Sequence, residues 1–127
     1  MELVRRIFES WASGDFHGGA DELDPDVTFI VRRPFPEPGT AVGPRAVAEY
    51  MGLFLEQWDR LIIQAERFQT VGDTVLVRAV MHGSGKASGA TTEVRYFQLF
   101  TFRGTKIVRI ESILDEAEAL KAAGLSE

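Results

Sequence analysis

Apolar residues recur first at helical spacing. Leu3, Val4, Ile7, Phe8 and Trp11 predict an amphipathic helix over residues 2–13, ended by Gly14. Phe16–Leu23 reads as a second short helix, weakened by Gly18 and Gly19. Asp24-Pro25-Asp26 then turns the chain into a strand over Val27–Val31. Residues 32–42 hold three prolines and a glycine, which predicts an irregular loop. Gly43-Pro44 opens the next helix, with proline at the first helical position, where its missing donor costs nothing. Val47, Met51, Phe54, Leu55 and Trp58 form the buried stripe of that helix.

From Leu61 the period becomes two. Leu61–Phe68 and Thr74–His82 predict a hairpin about Val71-Gly72-Asp73, and Thr91–Phe102 and Lys106–Leu114 a second about Gly104-Thr105. Gly83-Ser84-Gly85 and Gly89 mark a flexible connection between them. Asp115 caps a closing helix, with Glu118 in the capping-box position and Gly124 just past its end. The order predicts an α+β fold rather than βαβ units.

The second hairpin is apolar on both faces. Tyr96, Phe100, Phe102, Ile107 and Ile113 alternate with Phe97, Leu99, Val108, Ile110 and Leu114. Helices of so short a chain cover one row, the second, so the first is expected to face a second subunit in a homodimer built on the outer sheet face. If Gly104-Thr105 is a two-residue turn, Arg103 pairs with Lys106 and Gln98 lies opposite Glu111.

Composition narrows the function. The 127 residues predict one domain, 1–127, with a core that needs no disulfide or structural metal. Cysteine is absent, which excludes disulfides, thiol nucleophiles and thiolate metal sites. A formal charge of −5, from 14 basic and 19 acidic side chains, opposes nucleic-acid binding, whose affinity comes mainly from neutralising phosphates. No 18-residue apolar run exists to span a membrane, and no signal-peptide segment opens the chain, so a cytoplasmic location is expected. HExxH, GxGxxG and GxxxxGK are all missing, and Ser84 and Ser88 lack a GxSxG context. No metal and no cofactor is therefore expected.

The element order, with DPDVTF at 24–29, GDTVLVRAVMHG at 72–83 and FTFRGTKIVRIESILDEAEALKAAGL at 100–125, resembles the SnoaL-like family. That family lies in the superfamily of nuclear transport factor 2 and ketosteroid isomerase. The resemblance implies a cone, in which a curved mixed sheet wraps around helices and encloses an apolar pocket for a hydrophobic small molecule. It also implies where relatives keep catalytic groups. The aspartate of ketosteroid isomerase matches Val31, and the arginine of limonene-epoxide hydrolase matches Arg78, while its two aspartates match Val80 and Ser112. SnoaL-type cyclases use a carboxylate near the position of Glu111.

Three residues carry the candidate chemistry. Arg78 sits in an apolar strand, where its planar fork could hold an anionic or carbonyl-bearing ligand or form an ion pair with Glu66, Glu93 or Glu111. His82 shares its alternating face and can titrate near neutrality, which suits a proton shuttle. Glu111 is the remaining carboxylate near the pocket, with Ser112 on the opposite face. His17 is a lesser candidate. Trp11, Phe29, Phe54 and Trp58 are expected to converge over the sheet as core and pocket wall. Two functions follow from this set: a binding protein with an apolar pocket, or a cofactor-independent isomerase, cyclase or hydrolase of a hydrophobic carbonyl or epoxide.

Overall fold

The computed structural model describes residues 2–16, 19–33, 35, 38–87 and 89–125. His17 and Ser88 lie outside them. The elements run α1 (Glu2–Ala12), a 3-10 turn (Ala20–Glu22), β1 (Leu23–Val31), β2 (Gly39–Val42), α2 (Pro44–Glu56), β3 (Trp58–Val71), β4 (Thr74–Gly85), β5 (Thr91–Arg103), β6 (Lys106–Ile113) and α3 (Glu116–Ala122). One six-stranded sheet has the order β2-β1-β6-β5-β4-β3, with β1 parallel to β6 and every other pair antiparallel. The curved mixed sheet wraps around helices as a cone, the α+β architecture expected.

Local sequence explains most boundaries. Asp115 accepts a hydrogen bond from the Glu118 amide at 2.9 Å, and so caps α3 as anticipated. Several expectations are corrected. Among the described residues of Phe16–Leu23, Ala20–Glu22 form a 3-10 turn, and Leu23 already pairs with Ile107 of β6. Asp24-Pro25-Asp26 lies inside β1, at a register slip between Leu23 and Thr28 where proline has no ladder bond to lose. Gly39–Val42 forms a short edge strand in place of loop. Trp58 opens β3 instead of closing α2, and Gly83–Gly85 continues β4 as paired strand rather than a flexible connection.

The sheet buries its two faces in different ways. On the concave side, Val75, Val77, Ala79 and Met81 of β4 and Tyr96 and Phe100 of β5 pack in one cluster with Val4, Ile7, Phe8 and Trp11 of α1. On the convex side, Leu76, Phe97, Leu99 and Ile113 pack against Ala119 and Ala123 of the C-terminal helix and the turn after it.

This reverses the expected assignment of rows. Arg103 pairs with Lys106 as anticipated, but the register shifts between Thr101 and Phe102, leaving Val108 as an extra residue on β6. Such a bulge moves every later residue of its strand by one position. Gln98 therefore meets Ser112 instead of Glu111, and Glu111 meets Leu99. Tyr96, Phe100, Phe102 and Ile107 lie on the concave side, and only Ile113 of that row faces outward. Because α3 covers the outward apolar residues within one chain, a homodimer no longer follows from an uncovered row.

Gly83 shows how tightly the concave side is packed at the start of β3. A Cβ built there would lie 2.4 Å from Trp58 Cε3 and 3.1 Å from the Arg60 carbonyl oxygen. Gly83→Ala should lower stability by about 1–3 kcal/mol through overpacking. Gly52→Ala, in the interior of α2 with nothing within 4 Å of the new methyl, should raise it by roughly 0.5–1 kcal/mol. Denaturant midpoints of the two variants check both signs.

Candidate functional site

The concave face gathers the largest cluster of apolar and aromatic side chains in the chain. Phe29 packs on Tyr50 of α2 at 5.6 Å between ring centroids, Phe54 on Trp58 at 6.0 Å, and Phe8 on Trp11 at 4.8 Å. Phe35, from the segment between β1 and β2, meets the edge of Tyr96 at 5.9 Å. Sequence reasoning missed Tyr50 and Phe35. Tyr50 does continue the helical spacing of Val47 and Phe54, a legible signal, whereas the proline-rich surroundings of Phe35 carry none.

Polar atoms among these rings are few and incompletely satisfied. Gln98 is 3% exposed and donates from Nε2 to Ser112 Oγ at 3.1 Å. Its Oε1 has no partner among the described residues, nor have the indole nitrogens of Trp11 and Trp58. Exchanging the amide N and O does not remove the defect, because the Ser112 hydroxyl serves only one of them in either orientation. Burial pushes the Tyr96 phenol well above its ordinary range, so it stays protonated as a hydrogen-bond donor.

The three candidate residues all lie on the other side of the sheet. The inward positions of β4 are Val75, Val77, Ala79 and Met81, so alternation turns Arg78, Val80 and His82 outward. Arg78 donates from Nε to Glu66 at 3.2 Å. Glu66 also accepts two bonds from Arg95, at 2.8 and 3.0 Å, and that pairing holds its carboxyl below the usual carboxylate range. His82 Nδ1 lies 3.3 Å from a Glu93 carboxylate oxygen. Glu111 is 4% exposed and accepts from Arg32 Nε and, at 3.4 Å, from Arg109. Placing Arg78 and His82 beside a pocket ligand is therefore corrected, while Glu111 faces away from Ser112 as expected. Of the positions matched to catalytic aspartates, Val31 and Ser112 are neighbours on the concave side, and Val80 is not.

Two openings lie outside the concave face. A shallow cleft of about 450 Å³ runs between α1 and the 3-10 turn, lined by Leu3, Arg6, Glu9 and Glu22 among others. A groove of about 40 Å³ lies on the convex face beside α3, between Arg67, Arg78, Phe97 and Leu120. Among the described residues no group of three His, Asp or Glu side chains could hold a metal ion, and no helix is long and apolar enough to cross a membrane.

A family model for the SnoaL-like domain matches residues 4–110. The chain belongs to the SnoaL-like family. No curated protein sequence matches it. Among solved structures, an NTF2-like protein from Burkholderia thailandensis superposes with a TM-score of 0.80 at 21% identity, covering 98% of this chain and 94% of that one. A protein from Catenulispora acidiphila with a ketosteroid isomerase-like fold, in complex with trimethylamine, gives 0.77 at 18% identity, over 98% and 93%. A putative SnoaL-like polyketide cyclase from Jannaschia gives 0.75 at 20% identity, over 99% and 91%. At these identities the likeness is one of fold.

In this SnoaL-like protein the Gln98–Ser112 pair gives a stability signature. Gln98→Leu or Ser112→Ala alone strands a buried partner and should cost about 1–3 kcal/mol. The double variant replaces both polar groups and should fall within about 1 kcal/mol of the parent. Chemical denaturation of the three proteins reads this directly. On the convex face, Arg32→Met leaves the buried Glu111 carboxylate, among the described residues, only its long bond to Arg109, and should cost about 1.5–3 kcal/mol by the same measurement.

Proposed function

We propose that this SnoaL-like protein binds a neutral, largely apolar small molecule on the concave side of its sheet. Gln98 carries the reading: it is a buried amide with an unpaired atom, close in the sheet to Tyr96 and Ser112. A buried polar atom left unsatisfied costs about 1–3 kcal/mol, which a ligand hydroxyl or carbonyl would recover. The indole N–H groups of Trp11 and Trp58 offer two further donors, and the rings of Phe29, Tyr50 and Phe54 offer apolar surface for the body of the ligand. The inward strand positions named here carry no carboxylate, imidazole or guanidinium, so a charged ligand would be desolvated without a counter-ion. The Catenulispora protein's complex with trimethylamine and the Jannaschia protein's description as a putative cyclase support a small-molecule role for this shape.

The inward polar set favours binding over proton transfer. Tyr96, protonated throughout the neutral range, could polarise a carbonyl as donor but is not a base. An isomerase, cyclase or hydrolase reading therefore rests on Tyr96 and Ser112 rather than on Arg78, His82 or Glu111.

Native mass spectrometry of the protein purified without unfolding should detect a retained neutral adduct. A panel of hydrophobic ketones and alcohols should change tryptophan emission on titration, through Trp11 and Trp58. Binding should weaken by about tenfold or more in the Gln98→Leu/Ser112→Ala variant, equivalent to about 1.4 kcal/mol, and stay unchanged in His82→Gln. Equal affinity in the double variant and the parent would sink the reading.

A further inference from the structure

The convex face holds a second feature, independent of the concave side. β3 carries a bulge between Ala65 and Arg67, so Glu66 and Arg67 both sit on the outward side. This places Arg67 directly across from Arg78 on β4. Like charges paired in this way repel, and the arrangement asks for an anion between them. The neighbouring anion is already engaged: Glu66 takes two bonds from Arg95 and one from Arg78. Arg67 has no ion-pair partner among the described residues. The groove beside these two guanidiniums has an apolar floor of Leu76, Phe97 and Leu120, with Glu116 at its rim.

We infer that this groove binds a small organic monocarboxylate. The planar forks of Arg67 and Arg78 match a carboxylate in geometry, and the partly exposed Leu120 at the groove offers apolar contact to a short aliphatic or aromatic body. The groove's volume of about 40 Å³ admits the carboxylate head group alone, so the body lies outside it. Arg78 thus keeps the anion-holding part suggested by its chemistry, on the opposite face from the pocket.

Benzoate is the probe and benzamide its neutral counterpart, titrated into the full-length protein at constant ionic strength and followed by backbone amide NMR shifts. Benzoate should give saturable shifts at Arg67, Leu76 and Phe97, and benzamide none. Arg67→Gln and Arg78→Gln, both on an exposed face, should each weaken binding by about tenfold or more. Arg45→Gln, the same charge change on α2, should leave it unchanged. Benzamide binding as tightly as benzoate, equal weakening by Arg45→Gln, or shifts confined to concave residues such as Gln98 would overturn the assignment. So would sedimentation showing a salt-sensitive dimer abolished by Arg67→Gln with no benzoate shifts, which would make the patch a contact with a second copy.

Discussion

Alternation along β4 and β5 is the constraint on which the rest of the structure depends. These central strands are apolar on both faces, and each face meets a different cover: α1 and α2 on the concave side, α3 on the convex side. Burying one large apolar side chain is worth roughly 1.5–3 kcal/mol, so a slip by one residue would exchange two whole rows at a prohibitive cost. The bulge at Val108 is part of the same solution. It lets Ile107 and Ile110 both reach the concave core while Arg109 and Glu111 stay outside.

Parity also sorts the polar groups. Arg78, His82, Arg95, Arg109 and Glu111 all lie on the convex side, in ion pairs whose arginine and histidine members are partly exposed. Such pairs contribute modestly to stability, because solvent screens them and the long side chains lose entropy in making them. Glu111 is the exception in burial, and two guanidiniums answer it. Among the described residues, the fully buried polar groups of the concave side are neutral: Gln98, Ser112, Tyr96 and two indoles. A buried, partly unsatisfied amide lowers the stability of the fold.

The junction between α2 and β3 connects these features. Gln57 ends α2, and Trp58 folds its ring over Gly83, so the width of the concave side at this end depends on one missing side chain. Phe54 of α2 packs on Trp58 of β3, and Phe35, from the segment between β1 and β2, packs on Tyr96 of β5. Packing of this kind moves in discrete rotamer steps, which makes the indoles of Trp11 and Trp58 natural reporters of the concave side's packing.

Much of the fold was legible in the chain itself. Helical spacing in residues 2–13, Pro44 at a helix start, glycines at the hairpin turns and the Asp115 cap are local signals, because the physics that sets them acts within a few residues. The closing phrase at 100–125 was enough to suggest the family. What the chain could not declare is the direction in which each strand faces. A hairpin apolar on both sides has no pattern to distinguish inside from outside, and a single bulged residue leaves no mark in composition. Those choices were made by which helix packed on which face, and they put Arg78 and His82 on the convex side and Gln98 on the concave side. Only the tertiary structure could decide them, since burial is a property of neighbours that the chain brings together from far apart.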